Sequence, residues 1–186
     1  MADIAYPAAL PSEGRFIDRL NTTWHEKAMY LYMGIVVLHW IEHISQAVQI
    51  WLIGMPRPES LGALGLAAPW LVRSEVMHFG FALLMIVGLV ILRPGFLGTA
   101  RVWWNISLGI QAWHFVEHSL LQTQAILGWN FFGAKVPTSI VQLWVPRPEL
   151  HLVYNALVFI PMIIAAWMHS HPRPEVASRA QCTCAT

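Results

Sequence analysis

The chain has 186 residues, 56% of them hydrophobic and 11% charged, with a formal net charge of +1 and a mean hydropathy of +0.52. Soluble domains carry about a quarter charged residues, so the composition points to an integral membrane protein. The near-neutral charge offers no basic surface for nucleic acid.

Residues 1–27 read as a cytoplasmic N-terminal segment, without the short apolar core and cleavage site of a removable signal peptide. The first apolar run, Ala28–Gly54, exceeds the roughly 20 residues that a helix needs to cross the hydrocarbon. It contains HWIEH at 39–43. At about 100° per residue, His39 and His43 are offset by about 40° and Glu42 lies about 60° to the other side, so the three side chains share one arc. A loop, Met55–Pro69, leads to the second run, Trp70–Leu92, with Glu75 and His78 near its start. After the turn RPGFLGTAR, the third run, Val102–Trp129, carries HFVEH at 114–118, so His114, Glu117 and His118 repeat the first arrangement. A second loop, Asn130–Pro146, precedes the fourth run, Leu150–Met168, which opens with Glu149 and His151. The two loops lie on the side nearest the boxes and read as a lid or as plain connections. The membrane domain spans 28–171, and 172–186 reads as a flexible tail. Its Cys182 and Cys184 form a C-x-C pair, expected to be reduced and without function rather than a soft-metal site.

Arg15, Arg19, Lys27, Arg93, Arg101, Arg173 and Arg179 lie on the side of the termini, and Arg57, Arg73, Lys135 and Arg147 on the other. That bias places both termini in the cytoplasm and the boxes toward the non-cytoplasmic half. Trp24, Trp70, Trp129, Trp144 and Trp167 fall near helix ends, where indoles favour the interface.

An internal repeat organises these runs. Sliding the chain by 75 positions lays His39 on His114, Glu42 on Glu117, His43 on His118 and Gln49 on Gln124; at 74, Arg73 meets Arg147 and Glu75 meets Glu149. The expected fold is therefore all-α, a four-transmembrane-helix bundle built from two parallel helical-hairpin repeats, about 28–92 and 102–168.

Polar groups in the middle of a membrane span are costly, about 2.5–3.5 kcal/mol for a central Asp, Lys or Arg even on a translocon scale. Four imidazoles and two carboxylates at one depth therefore need compensation, either from a bound cation or from a His–Glu hydrogen-bond network. A cation leads to a dinuclear centre: His39, Glu42, His43 and His78 for one ion, His114, Glu117, His118 and His151 for the other. Glu42 and Glu117 would be bridging or terminal carboxylates. His151 falls on Met77 rather than His78 at the shift of 74, which leaves open whether both histidines ligate. Glu75 and Glu149 are further candidate ligands, or acids favoured in the first turn of a helix. Tyr154, Asn155, Gln111, Gln122 and Gln124 are candidates to support the ligands through hydrogen bonds.

Imidazole with carboxylate suits iron, copper, zinc or manganese, and no buried thiolate is expected. Two ions per chain, iron or copper in preference to zinc, are the expected cofactors. Histidine and glutamate gathered in a four-helix bundle resemble the logic of ferritin-like di-iron proteins, with HxxEH in place of ExxH. The boxes are loosely similar to those of membrane hydroxylases and desaturases, without their HxxHH pair, and no membership is assigned. The expected function is a membrane-embedded oxygenase or oxidase acting on a lipophilic or very small substrate, with an external electron donor or a larger membrane complex as partner. The alternatives are a haem b electron-transfer subunit with His39/His114 or His43/His118 as axial pairs, a zinc peptidase using HxxEH, metal or proton transport, and an accessory membrane protein.

Overall fold

The computed structural model describes residues 15–182 and 184; residues 1–14 of the N-terminal segment and 183, 185 and 186 of the tail lie outside them. All secondary structure among the described residues is helical. Eight α-helices follow in order: α1 Phe16–Leu20, α2 His25–Trp51, α3 Leu64–Ala67, α4 Pro69–Val72, α5 Glu75–Leu92, α6 Gly98–Leu127, α7 Arg147–Ser170 and α8 Pro174–Ala177. The long ones, α2, α5, α6 and α7, have 27, 18, 30 and 24 residues, or about 40, 27, 45 and 36 Å at 1.5 Å per residue.

The expected helix boundaries shift for local reasons. Trp70–Leu92 is two helices, because Ser74 is extended and its Oγ accepts a hydrogen bond from Val76 N at 3.2 Å, capping a fresh helix at Glu75. The last long helix starts at Arg147, three residues before the apolar run, with Pro148 in its first turn, where a missing N–H is harmless. Helix α6 ends at Gly128, whose φ of 70° suits glycine and whose N–H closes on Gln124 O at 2.9 Å.

The four long helices pack side by side. Helix α6 lies against α5 and α7, and α2 against α7 and α5, so each has two neighbours. The apolar core joins Met29 and Val36 of α2, Met85 and Leu89 of α5, Trp104 of α6 and Met162 of α7. Tyr32 and Ser107, matched in the repeat, make similar cross-links whose acceptors are one position out of register: Tyr32 OH donates to Met85 O at 2.7 Å, and Ser107 Oγ donates to Val158 O at 2.8 Å. The C-terminal halves of α2 and α6 thus lie level with the N-terminal turns of α5 and α7, which carry the remaining histidines.

Two stretches, Glu75–Gly95 and Arg147–Ser170, are long and apolar enough to cross a membrane by length and composition. Helices α2 and α6 are long enough but interrupted by polar side chains. The buried residues of α6 include Ser107, Gln111, His114, Glu117, His118 and Gln124.

Candidate metal centre

Each HxxEH box puts two imidazoles one helical turn apart, and the two boxes fold alike. His39 and His43 place their Nε2 atoms 3.1 Å apart with ring centroids at 4.5 Å; His114 and His118 repeat both values. From the first turns of α5 and α7, His78 and His151 each direct Nδ1 to the carbonyl four residues back, Ser74 O at 2.9 Å and Arg147 O at 2.8 Å. A carbonyl only accepts, so Nδ1 carries the proton of the neutral ring and Nε2 keeps its lone pair for the interior. His43 is fixed in the same sense, with Nδ1 donating to Gln46 Oε1 at 3.0 Å.

These six rings form one cluster. His151 Nε2 is 3.2 Å from His118 Nε2, and the His151 ring also stacks on His43 with centroids 5.4 Å apart. His78 lies at 6.2 Å from both His118 and His151. The ligand nitrogens of His114, His118 and His151 are all within 4.8 Å of one another, and the three residues are buried. An ion with M–N distances of 2.0–2.1 Å separates neighbouring donors by about 2.9–3.4 Å, which the contacts of 3.1 and 3.2 Å match. The one-position offset between His78 and His151 does not keep either ring out, although His78 sits at the edge. Nδ1 of His114 and of His118 is buried without a partner, so these two rings are held by packing. Tyr154 lies against His114 at 4.7 Å and accepts from Trp113 Nε1 at 2.7 Å. Asn155 turns back to His151 O at 2.7 Å.

The glutamates, expected as bridging or terminal ligands, each commit one oxygen to a loop. Glu42 Oε2 accepts from Leu64 N at 2.9 Å, and Glu117 Oε1 accepts from Val141 N at 2.9 Å and Ser139 Oγ at 3.2 Å. Both carboxylates anchor a loop, at matching places in the two repeats; among the described residues His114, His118 and His151 bring three ligand atoms close enough to share an ion in this cluster, whereas the glutamates and the trio His39, His43 and His78 do not. The physical reason for the anchoring is that a loop crossing a buried helix end brings N–H groups that need acceptors. Gln49 and Gln124 do the same work two turns further on: Gln49 bonds Gly62 N and O at 2.7 and 3.1 Å, while Gln124 accepts from Phe131 N and Thr138 N and donates to Thr138 O. Glu75 and Glu149 pair with arginines rather than with the cluster: Arg147 grips Glu75 through two bonds of 2.5 and 2.6 Å, and Arg57 reaches Glu149 at 2.5 Å. Gln111 donates to Ala82 O at 3.2 Å, tying α6 to α5.

The two histidine trios differ in access. His39, His43 and His78 line a cavity of about 370 Å³ with Leu38, Met77 and Phe81. Glu42 lines it too, and its Oε1 is buried without a partner. A second, more polar cavity of about 530 Å³ lies beneath the loops, between Arg57, Glu75, Arg147 and His151. His114 and His118 line neither of these cavities.

Sequence reasoning passed over His25 and His169 and set Cys182 and Cys184 aside as a reduced, functionless pair; the four meet at the other end of the bundle, with the cysteines joined as a disulfide. A signal was present: His25 precedes His43 by eighteen residues, and His169 follows His151 by the same interval. Eighteen residues make about five full turns, so each pair shares a helix face. Comparison with protein-family models, with characterised proteins and with solved structures gives no match.

Proposed function

We propose that this chain is a membrane-embedded, metal-dependent oxidoreductase of the oxygenase or oxidase type. One transition-metal ion rests on His39, His43 and His78, and a second on His114, His118 and His151. The observation that carries this reading is that each sequence repeat contributes three imidazoles and all six meet in one interior cluster. Nδ1 of His43, His78 and His151 is spent on an acceptor, which turns the lone-pair Nε2 atoms of these three rings toward the cluster. An all-imidazole donor set without carboxylate favours copper over iron, whose oxygen-activating sites combine histidine with carboxylate.

The bound ions supply one-electron chemistry toward dioxygen, with the reducing electrons drawn from an external donor. The residues of the chain provide the rest. The trio of His39, His43 and His78 opens onto the apolar cavity, which suits a small lipophilic substrate, while the other trio reaches only the polar cavity, through His151. Glu42 holds Leu64 N with one oxygen and keeps the other as a proton acceptor beside the cavity. His151, packed between His43 and His118, gives the two halves a shared contact. The same ring occupies the space in which a porphyrin would have to lie between His43 and His118, which favours separate ions over haem.

The membrane setting is supported by an inverted pattern of polarity. Leu31, Leu38 and Ile41 of α2 and Val102, Ile106 and Val116 of α6 are exposed, while glutamine, serine and histidine are interior. Water would favour the reverse. All four long helices are therefore read as spans, with both termini on the cytoplasmic side.

The test is elemental analysis and visible spectroscopy of the detergent-purified protein. About two copper or iron atoms per chain are expected at the histidine cluster, falling by one in His43→Ala and by one in His118→Ala. A Soret band, zinc as the sole metal, or an absence of metal with unchanged folding in both variants would overturn the reading.

A further inference from the structure

At the opposite end of the bundle from the six histidines, side chains from α2, α7 and the tail converge on one point. His25 opens α2 and is fully buried, at 0% exposure. Its Nδ1 donates to Leu20 O at 3.1 Å, which leaves Nε2 as a lone-pair atom, and that Nε2 is buried without any hydrogen-bond partner. His169, near the end of α7, stands edge-on to it with ring centroids 5.0 Å apart. The tail then brings in two sulfurs: His169 Nε2 lies 2.9 Å from Cys184 Sγ and 3.1 Å from Cys182 Sγ. The donor atoms of His25, His169 and Cys184 all fall within 4.8 Å of one another, and Cys182, only 3% exposed, completes the set.

The surroundings are shaped around this point. Phe96 packs on both imidazoles, at 5.2 Å from His25 and 4.7 Å from His169. Gly95 lies so close to the His25 ring that any Cβ there would overlap it. Asn21 accepts from Gly95 N at 2.8 Å and donates to Ile91 O at 2.9 Å, tying the segment before α2 to the turn after α5. The tail, expected to be free, is docked over its described part. This point is distinct from the histidine cluster, because the eighteen residues separating His25 from His43 and His151 from His169 span about 27 Å of helix.

We propose that His25, His169, Cys182 and Cys184 form a second metal site, a Cys₂His₂ set for one d¹⁰ cation, Zn²⁺ or Cu(I), in the dithiol form of the cysteine pair. The structure joins the two sulfurs as a disulfide. A thiol reductant supplies two electrons and two protons to open that bond and is itself oxidised to its disulfide. The cation then displaces the two thiol protons, and two thiolates and two Nε2 lone pairs bind it. Four-coordinate zinc with M–N near 2.0–2.1 Å and M–S near 2.3 Å sets N and S about 3.5 Å apart and the two sulfurs about 3.8 Å apart, so on loading the N–S contacts open by about half an ångström and the reduced sulfurs part further. The disulfide leaves His25 Nε2 unsatisfied; the cation uses it. That difference is the reason to read a site here rather than a packed imidazole.

Full-length protein, treated with a thiol reductant that is then removed, is titrated with Zn²⁺ and, anaerobically, with Cu(I). We expect one equivalent beyond the content of the six-histidine centre, and at least a tenfold slowing of both cysteines toward a thiol reagent when the cation is bound. Replacing zinc by Co²⁺ gives thiolate-to-cobalt charge-transfer absorption. The double variant Cys182→Ser/Cys184→Ser alters only the last turn of chain and loses that equivalent alone; His25→Gln weakens it while Cys182 and Cys184 stay intact. Equal metal content in wild type and the double serine variant, thiols equally reactive with and without cation, or a disulfide that resists reduction in the folded protein would each overturn the proposal. Failure of the six-histidine centre to bind metal, with the cysteine-dependent equivalent retained, would sink the oxidoreductase reading and leave this one standing.

Discussion

Glu117 is where the histidine boxes divide into two functions. Its carboxylate accepts from Val141 N and Ser139 Oγ, so Glu117→Gln keeps the shape and loses the charge-assisted part of both bonds. The expected cost is about 1–2 kcal/mol, seen as faster hydrogen exchange in the 136–146 loop, with the metal content of the cluster unchanged. Loss of one ion in that variant would instead make Glu117 a ligand. The histidines of the boxes were legible in the sequence because a spacing of four residues on a helix fixes their common face by itself. The role of the glutamates was not, because their partners Leu64 and Val141 lie 22 and 24 residues away and only the folded loops bring those amides near. His78 and His151 were legible as neighbours of the boxes, while their tautomers depended on carbonyls one turn back that any helix could provide.

At the level of elements, the loops are held by glutamines whose four hydrogen-bonding positions are nearly all used. Gln124 bonds Leu120 O, Thr138 O, Phe131 N and Thr138 N, and the side chain is 1% exposed. Gln124→Ala removes one partner of Phe131 N and strands the part-buried N–H and carbonyl of Thr138. Each buried group left unpaired costs about 1–3 kcal/mol, so the loop 130–146 should open and become a site of limited proteolysis, while α6 and α7 persist by circular dichroism. The four apolar runs were readable as helices from length and hydrophobicity. Their true starts were not, since the break before Glu75 rests on one serine cap and the early start at Arg147 on a proline suited to a first turn. The polar interior of α2 and α6 also explains why hydropathy alone selects α5 and α7: the residues that build the site dilute the apolar average of the helices that carry it.

For the whole molecule, the two hairpins are clamped by Arg147 and Glu75, one from each repeat, through bonds of 2.5 and 2.6 Å. Arg147→Ala should lower stability by about 2 kcal/mol, less than for a fully buried pair because the arginine is 30% exposed. A double-mutant cycle with Glu75→Ala, read from denaturation midpoints in detergent, should return a coupling of about 1–2 kcal/mol; zero coupling would show that the clamp is incidental. The repeat made this pairing of halves legible, but a shift by a fixed number of residues finds only what is duplicated. His25 and His169 fall on Ala100 and Gly95 in the repeat, so their cluster with the cysteines stayed hidden until the tail was seen against the bundle. Its eighteen-residue register with the six-histidine cluster has a mechanical meaning. Helices α2 and α7 each carry an imidazole to both ends along a single face, so a rod pinned by an ion at one end can neither roll nor slip at the other. Were ions to fill both ends, any change that occupancy of one made in the affinity of the other would be returned by the same factor, since linkage makes such a coupling reciprocal.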